Sequence, residues 1–304
     1  GATVNVANAL ANKLDAYSNF VIRYSYGDEV ETVKGLPNKE KIGEAINSAN
    51  KLVIFYGADG LGLAGTSALA EACAKLLQTR MAGNGLENGN TDGGLVGVWS
   101  TPNQQGALEM GFVPCTDLAS ELKDKTVYIL AADPVGDDLA LAEALKAAKY
   151  VIVQDILETA TTKLADIVLP AAAYTEREGT FTSGERRVQR YYPAVPARPG
   201  TKADFTLIAE LANLSRGTRE KCGFELEGRS PLLVMNQMAA SEPAFSGVSY
   251  AKLAEVTAQW PIIGRSDLFY GGTGYENKQG LGVTLSLTPG PSPKGRGAGG
   301  EGEG

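Results

Sequence analysis

TVYILAADPVGDDLALAEALKAAKYVIVQ, residues 126–154, decides the fold class of this chain. Thr126 to Ala131 is a short aliphatic run bounded by the turn residues of ADPVGDD, which reads as a strand. Asp137 or Asp138 can cap the helix expected over LALAEALKAAK, and Lys146 and Lys149 suit the negative end of its dipole. Tyr150 to Gln154 (YVIVQ) is then a second strand. Strand, helix and strand within about 30 residues form a βαβ unit. Continuous rather than alternating apolar strands are what a parallel sheet covered on both faces requires.

The same rhythm extends in both directions. Upstream, Leu52 to Tyr56 (LVIFY) is a strand, followed by the glycine-rich turn GADGLGLAG and an Ala/Leu helix from Ser67 to about Gln78. Downstream, Thr159 to Ala165 gives a short helical crossover, and Ile167 to Leu169 a strand that Pro170 ends, because proline cannot donate to a ladder. The expected fold is α/β, a doubly wound, mostly parallel sheet with helices on both faces, over residues 1–190. Residues 191–287 read as a linker and helical region. Prolines forbid helix in YYPAVPARPG, and helices are expected over Asp204–Leu214, Pro231–Met238 and Tyr250–Gln259. The low-complexity tail 288–304 is expected to be disordered, and the polar stretch Asn84–Gly94 to be a mobile loop. Gly1 reads as a remnant of cloning, and ATVNVANALANKL after it as an amphipathic helical start, not a secretory signal.

Composition excludes more than it suggests. The chain has 304 residues, 43% of them hydrophobic, and a net charge of −7, which disfavours nucleic acid as a partner. No apolar run reaches the roughly 20 residues of a membrane span. With no histidine, every Ser-His-Asp, Cys-His or His-ligated metal mechanism is ruled out. Three dispersed cysteines, Cys73, Cys115 and Cys222, cannot supply the four ligands of an ordinary iron–sulfur cluster and read as small buried hydrophobes.

Ligands of open α/β sheets sit beyond the carboxyl ends of the strands. Asp59, Asp133 and Asp155 fall there and could accept hydrogen bonds from a ribose or a guanine edge; each could equally cap a turn. The stretch Leu164 to Gln189, LADIVLPAAAYTEREGTFTSGERRVQ, carries a turn-rich polar run past its strand, where a binding loop belongs. Between Glu176 and Lys202 six basic residues face three acids, a local +3 that could meet phosphate or an acidic partner. Arg186, Arg187 and Arg190 are the expected contact. Gly60-Leu61-Gly62-Leu63-Ala64-Gly65 is formally a dinucleotide fingerprint, but the acidic residue that should follow about 20 positions later is missing.

Leu164–Gln189 resembles the signature of the molybdopterin oxidoreductase superfamily, and in detail the large iron–sulfur subunit of bacterial NADH:quinone oxidoreductase (NADH dehydrogenase), respiratory complex I. QQGALEMGFVP, from Gln104 to Pro114, and DLFYGGTGYENKQGLG, from Asp267 to Gly282, are similar to further stretches of that family. The resemblance implies a pterin-type site formed by Asp133, Asp155, Glu178, Gly179, Thr180, Ser183 and Arg187. The family usually has an asparagine near Ser183 and Glu-Gly-Arg where this chain has Glu185-Arg186-Arg187, and no protein ligand for molybdenum is evident. On those departures the expectation is a vestigial site, without catalysis or bound cofactor. The chain would then be a scaffold supporting NADH-to-quinone electron transfer, with iron–sulfur clusters confined to N-terminal domains outside this sequence. Its partners would be those domains and the other complex I subunits, on the cytoplasmic side of the inner membrane. The alternative is an oxidoreductase domain that binds pterin guanine dinucleotide or NAD.

Overall fold

A computed structural model describes residues 2–57, 61–83, 94–214, 225–254 and 282–285. They fall into two compact units, Gly1–Gln105 and Gly106–Gly304.

The first unit opens with a parallel pair, β1 (Asn5–Ala7) and β2 (Phe20–Ile22), where a helical start was expected. Val6 is the buried member of β1, so its side chain anchors an extended segment. Helices α1 (Glu29–Gly35) and α2 (Glu40–Ser48) follow, and Ile42 and Ile46 of α2 pack with Ile22, Phe20, Leu36, Leu52 and Leu76. β3 (Val53–Gly57) leads through α3 (Gly62–Gly83) to β4 (Gly94–Val98), and the two strands pair in parallel from Val53↔Gly94 to Gly57↔Val98. Sequence reading missed β4, because GLVGV is two-fifths glycine and adjoins a polar stretch. The first fingerprint glycine, Gly60, lies outside the described residues, as do Asp59, Cys222, the tail 288–304 and most of the expected loop at 84–94. So do residues 255–259 of the last expected helix and all but Gly282 of the stretch from Asp267.

The second unit holds the βαβ core. α4 (Gln104–Glu109) spans the unit boundary, and α5 (Leu118–Leu122) is capped by Asp117, whose carboxylate accepts from Ser120 N at 3.1 Å. β5 (Thr126–Leu130), β6 (Tyr150–Asp155) and β7 (Ile167–Pro170) form a parallel sheet in the order β5-β6-β7. Between β5 and β6 the single expected helix divides into α6 (Pro134–Asp137) and α7 (Leu141–Lys146). Neither Asp137 nor Asp138 caps α7; Asp133 caps α6 instead, with Pro134 at the first helical position. Leu122, Ile129, Val135, Leu145, Val151 and Val153 close one face of the sheet. Tyr128 and Gln154, on the alternate positions, meet the opposite side. The α/β class with parallel strands is therefore what the structure shows.

Beyond Pro170 lies the largest departure. The polar run is not an irregular loop but an antiparallel hairpin of β8 (Gly179–Thr182) and β9 (Arg187–Tyr191), with β10 (Val283–Thr284) completing the order β10-β9-β8. α8 (Asp204–Leu214) appears as expected, as does α9 (Pro231–Ser241), whose cap Ser230 accepts from Leu233 N at 3.3 Å. α10 is Tyr250–Leu253. Val188 of β9 is fully buried among Met235, Phe245, Val248, Tyr250, Leu253 and Leu285, so the hairpin is rooted in a second core. Gly282 makes a close approach to that strand: its φ is +84°, and a Cβ there would lie 2.2 Å from the Val188 carbonyl oxygen.

Leu145 is 1% exposed in the first core, whereas Leu139, just before α7, is 77% exposed. Leu145→Ala is expected to cost about 2–5 kcal/mol and Leu139→Ala under about 0.5 kcal/mol, read from urea unfolding midpoints. Equal losses would contradict this packing.

Candidate functional site

The carboxyl ends of β5 and β6 and the hairpin hold all seven residues of the expected pterin-type site, whereas the described part of the glycine-rich fingerprint opens α3 in the first unit. Asp133 follows β5. Its Oδ1 accepts three hydrogen bonds, from Gly136 N at 3.1 Å, Thr161 N at 2.9 Å and Thr161 Oγ1 at 2.6 Å. Thr161 is fully buried, and its hydroxyl accepts in turn from Val135 N at 3.1 Å. The hydroxyl of Thr161, above all, holds the Asp133 carboxyl below the usual carboxylate range. Asp133 thus latches α6 to the crossover before β7.

Asp155 closes β6. Its Oδ1 accepts from the next two amides, Ile156 N at 2.6 Å and Leu157 N at 3.2 Å, an Asx-type turn. That turn forms one wall of a shallow cleft of about 440 Å³, lined by Asp155, Ile156, Leu157, Glu158, Thr162, Lys163, Val168 and Pro170.

One strand position before Asp155 is a residue that sequence reading did not single out. Gln154 is fully buried; its Oε1 accepts from the Tyr128 hydroxyl, and its Nε2 donates to Asp204 Oδ1 at 2.5 Å. The second Asp204 oxygen pairs with Arg177, in the segment that enters the hairpin. A polar chain therefore runs from β5 through β6 and the first turn of α8 to the hairpin. A glutamine at the end of an apolar run was the available signal, since an uncharged amide is buried only with partners for both its ends.

In the hairpin, Glu178 pairs with Arg190, whose guanidinium lies 4.2 Å from the Tyr192 ring centroid and 4.5 Å from that of Tyr250. Burial first, then the Glu178 charge, pushes the Tyr250 phenol up to about 12. Gly179 is opposite Tyr191, and a Cβ on it would lie 2.6 Å from the Tyr191 hydroxyl, so this glycine gives space to a ring that stacks on Phe181 at 4.6 Å. Thr180 pairs with Arg190 in the ladder. Ser183 follows β8; its N–H donates to the Arg187 carbonyl at 2.9 Å, while its Oγ is buried without a hydrogen-bond partner among the described residues.

The expected +3 patch is not a free basic surface. Arg177 pairs with Asp204, Arg186 with Glu109 at 2.5 Å, Arg190 with Glu178, Arg198 with Glu176 at 3.7 Å and Lys202 with Glu210 at 2.7 Å. Three of these carboxylates, Glu109, Asp204 and Glu210, lie outside the counted segment, which is why a local tally missed them. Of the three arginines expected as a partner contact, Arg186 and Arg190 are held internally. Arg187, 3.9 Å from Glu185, is the loosest ion pair of the three. Cys73 is buried as expected, but Cys115 is exposed. Among the described residues no group of three or more His, Cys, Asp or Glu side chains could hold a metal ion. No described helix is long and apolar enough to cross a membrane.

A family model described as molybdopterin oxidoreductase matches residues 26–214. The chain is 39% identical over 140 residues to F420-dependent formate dehydrogenase 2 subunit alpha of Methanococcus maripaludis, covering 45% of this chain and 20% of the relative. It is 32% identical over 147 residues to formate dehydrogenase H of Escherichia coli, 47% of this chain and 20% of that one. With putative formate dehydrogenase YrhE of Bacillus subtilis it shares 28% identity over 283 residues, 80% of this chain and 28% of the relative. The chain thus spans between 20% and 28% of the length of these relatives. These findings overturn the expectation of a non-catalytic complex I scaffold, because the relatives are formate dehydrogenases and not components of NADH:quinone oxidoreductase. They equally overturn the expectation of a chain without cofactor, since family and relatives point to molybdopterin. Ser183 and Arg186, the departures from the family pattern, lie in the paired hairpin of β8 and β9 and its tip.

Because the Asp133 pKa is depressed in the fold, its contribution is present above the unfolded carboxylate value of about 3.9 and is lost as pH falls through the lower folded value. Asp133→Asn is expected to lower the thermal midpoint at pH 7, with the gap to the parent closing as pH approaches 3. A gap that persists unchanged to pH 3 would show that the charge contributes nothing.

Proposed function

The chain belongs to the molybdopterin oxidoreductase family, and on that premise we propose that it is a cofactor-binding portion of a formate dehydrogenase-type oxidoreductase, its hairpin and strand ends facing a molybdopterin cofactor. Ser183 carries the reading. A hydroxyl buried without a partner costs about 1–3 kcal/mol, and it occupies the segment that the family signature covers. A polar ligand atom at that point removes the cost. The residues present therefore fit a pterin.

The roles divide by what each group already holds. Ser183 Oγ donates to the ligand and Arg187, its cross-strand neighbour, supplies positive charge to an anionic cofactor. Gly179 and Thr180 present the β8 backbone and a hydroxyl to the same ligand. Asp155 shapes the turn beside the cleft, while Asp133 and Glu178, engaged by Thr161 and Arg190, hold the surrounding loops in place. The cofactor, when bound, supplies a two-electron redox centre. Oxidation of formate to carbon dioxide releases one proton and two electrons, so an acceptor must take the electrons. The subunit alpha designation of relatives supports further subunits as partners in that transfer. The reading favours the pterin-binding alternative over NAD, for which the fingerprint lacks its acidic residue.

The test is expression in a host that makes molybdopterin, followed by fluorescence of the oxidised pterin released on denaturation. The parent chain is expected to retain pterin, and Arg187→Ala to lose at least half of it without a change in circular dichroism. A parent chain that never retains pterin overturns the proposal. In the full-length enzyme, formate-dependent dye reduction that survives Arg187→Ala and Ser183→Ala unchanged would remove these residues from the site.

A further inference from the structure

Arg186 is a residue in the wrong conformation for its type. Its φ is +60°, in the left-handed region that is unfavourable for a residue with a Cβ. It is the third residue of the loop Gly184-Glu185-Arg186, and its N–H donates to the Ser183 carbonyl at 2.8 Å. This is the pattern of a three-residue hairpin loop, a turn followed by one left-handed residue, where glycine is favoured. The arginine side chain reaches away from the loop to the end of α4, where Nε and a terminal nitrogen donate to the two oxygens of Glu109 at 2.5 and 2.8 Å. Both partners are largely shielded, with side-chain exposures of 24% and 13%. Its carbonyl accepts from Leu285 N at 2.9 Å, beside β10. Met110, the residue after Glu109, packs against the core that buries Val188 of β9.

We propose that Glu109 is a positioning residue: its two-pronged pair with Arg186 holds the hairpin tip in its left-handed conformation and so keeps Ser183 Oγ and Arg187 in register for the ligand. The pair substitutes for glycine. Glycine adopts the conformation freely but anchors nothing, whereas arginine adopts it at a cost and is held at its far end by Glu109. The tip is thereby tied to α4 across 77 residues of sequence. The ligand-positioning half of this inference rests on the pterin reading above; the mechanical half does not.

Hydrogen exchange by mass spectrometry on the full chain separates the two, using peptides over residues 179–191. Glu109→Gln is expected to speed exchange of the tip amides about tenfold, because strain remains while the charge and one of the two prongs of the anchor are lost. Arg186→Gly relieves the strain with the anchor and is expected to stay within threefold of the parent. In the double variant, Glu109→Gln should add nothing to Arg186→Gly. Unchanged exchange in Glu109→Gln, or equal acceleration in Arg186→Gly, overturns the clamp. Pterin content gives the other half: Glu109→Gln is expected to retain less than half of the parent's pterin, and Arg186→Gly nearly all of it. If exchange behaves as expected but the parent holds no pterin, the clamp stands and the cofactor reading fails. If the parent holds pterin and Glu109→Gln retains it fully, the clamp has no positioning role.

Discussion

A fully buried glutamine side chain must find partners for both ends of its amide, and Gln154 imposes that demand at the carboxyl end of the central strand. Tyr128 on the neighbouring strand supplies the donor, and Asp204 in the first turn of α8 supplies the acceptor. Asp204 is then a carboxylate in a shielded place and needs a cation, which Arg177 provides. Each satisfied group creates the requirement for the next. The sheet, α8 and the entry to the hairpin are tied to one another by this sequence of obligations, beside the apolar core that closes the other face of the sheet.

The hairpin is fixed by comparable means at its other end. Val188 is buried in one core, Arg190 lies between Glu178 and two tyrosine rings, and Arg186 is tied to Glu109. Ser183, by contrast, has a buried hydroxyl that finds no partner among the described residues, as does Arg177 Nε in the segment entering the hairpin. Among neighbours already committed to protein partners, an uncommitted buried group is where a ligand atom would relieve a cost. Asp133 shows the reverse. Its position at a strand end suggested a ligand contact, but three hydrogen bonds to one oxygen make it a fastening between two loops.

How much of this was legible follows from the range of each interaction. β5, β6 and β7 were readable because each is a short continuous apolar run, a local property, even though Tyr128, Leu130, Ile167 and Val168 remain exposed. β4 was not, since its glycines carry no such pattern and its strand character comes from pairing with β3. The hairpin escaped because hydroxyls and charges in Gly179–Arg190 resemble a solvated turn, and only burial of Val188 and Thr182 distinguishes it. Ser183 and Arg186 depart from the family pattern in the same stretch, and their tertiary neighbours are equally invisible to it. Whether an arginine can replace glycine at a left-handed position depends on Glu109, which adjacent sequence cannot reveal.

Sequence by itself determined the α/β class, the positions of the core strand ends, the family signature in Leu164–Gln189 and the lack of histidine among these 304 residues. These follow from composition and from patterns confined to a few neighbouring residues. Tertiary structure decided which charges are spoken for. The six cations between Arg177 and Lys202 look like a basic patch until Glu109, Asp204 and Glu210 arrive from elsewhere in the chain. Ion pairing depends on distance in space, and a linear count of charges contains no such distance.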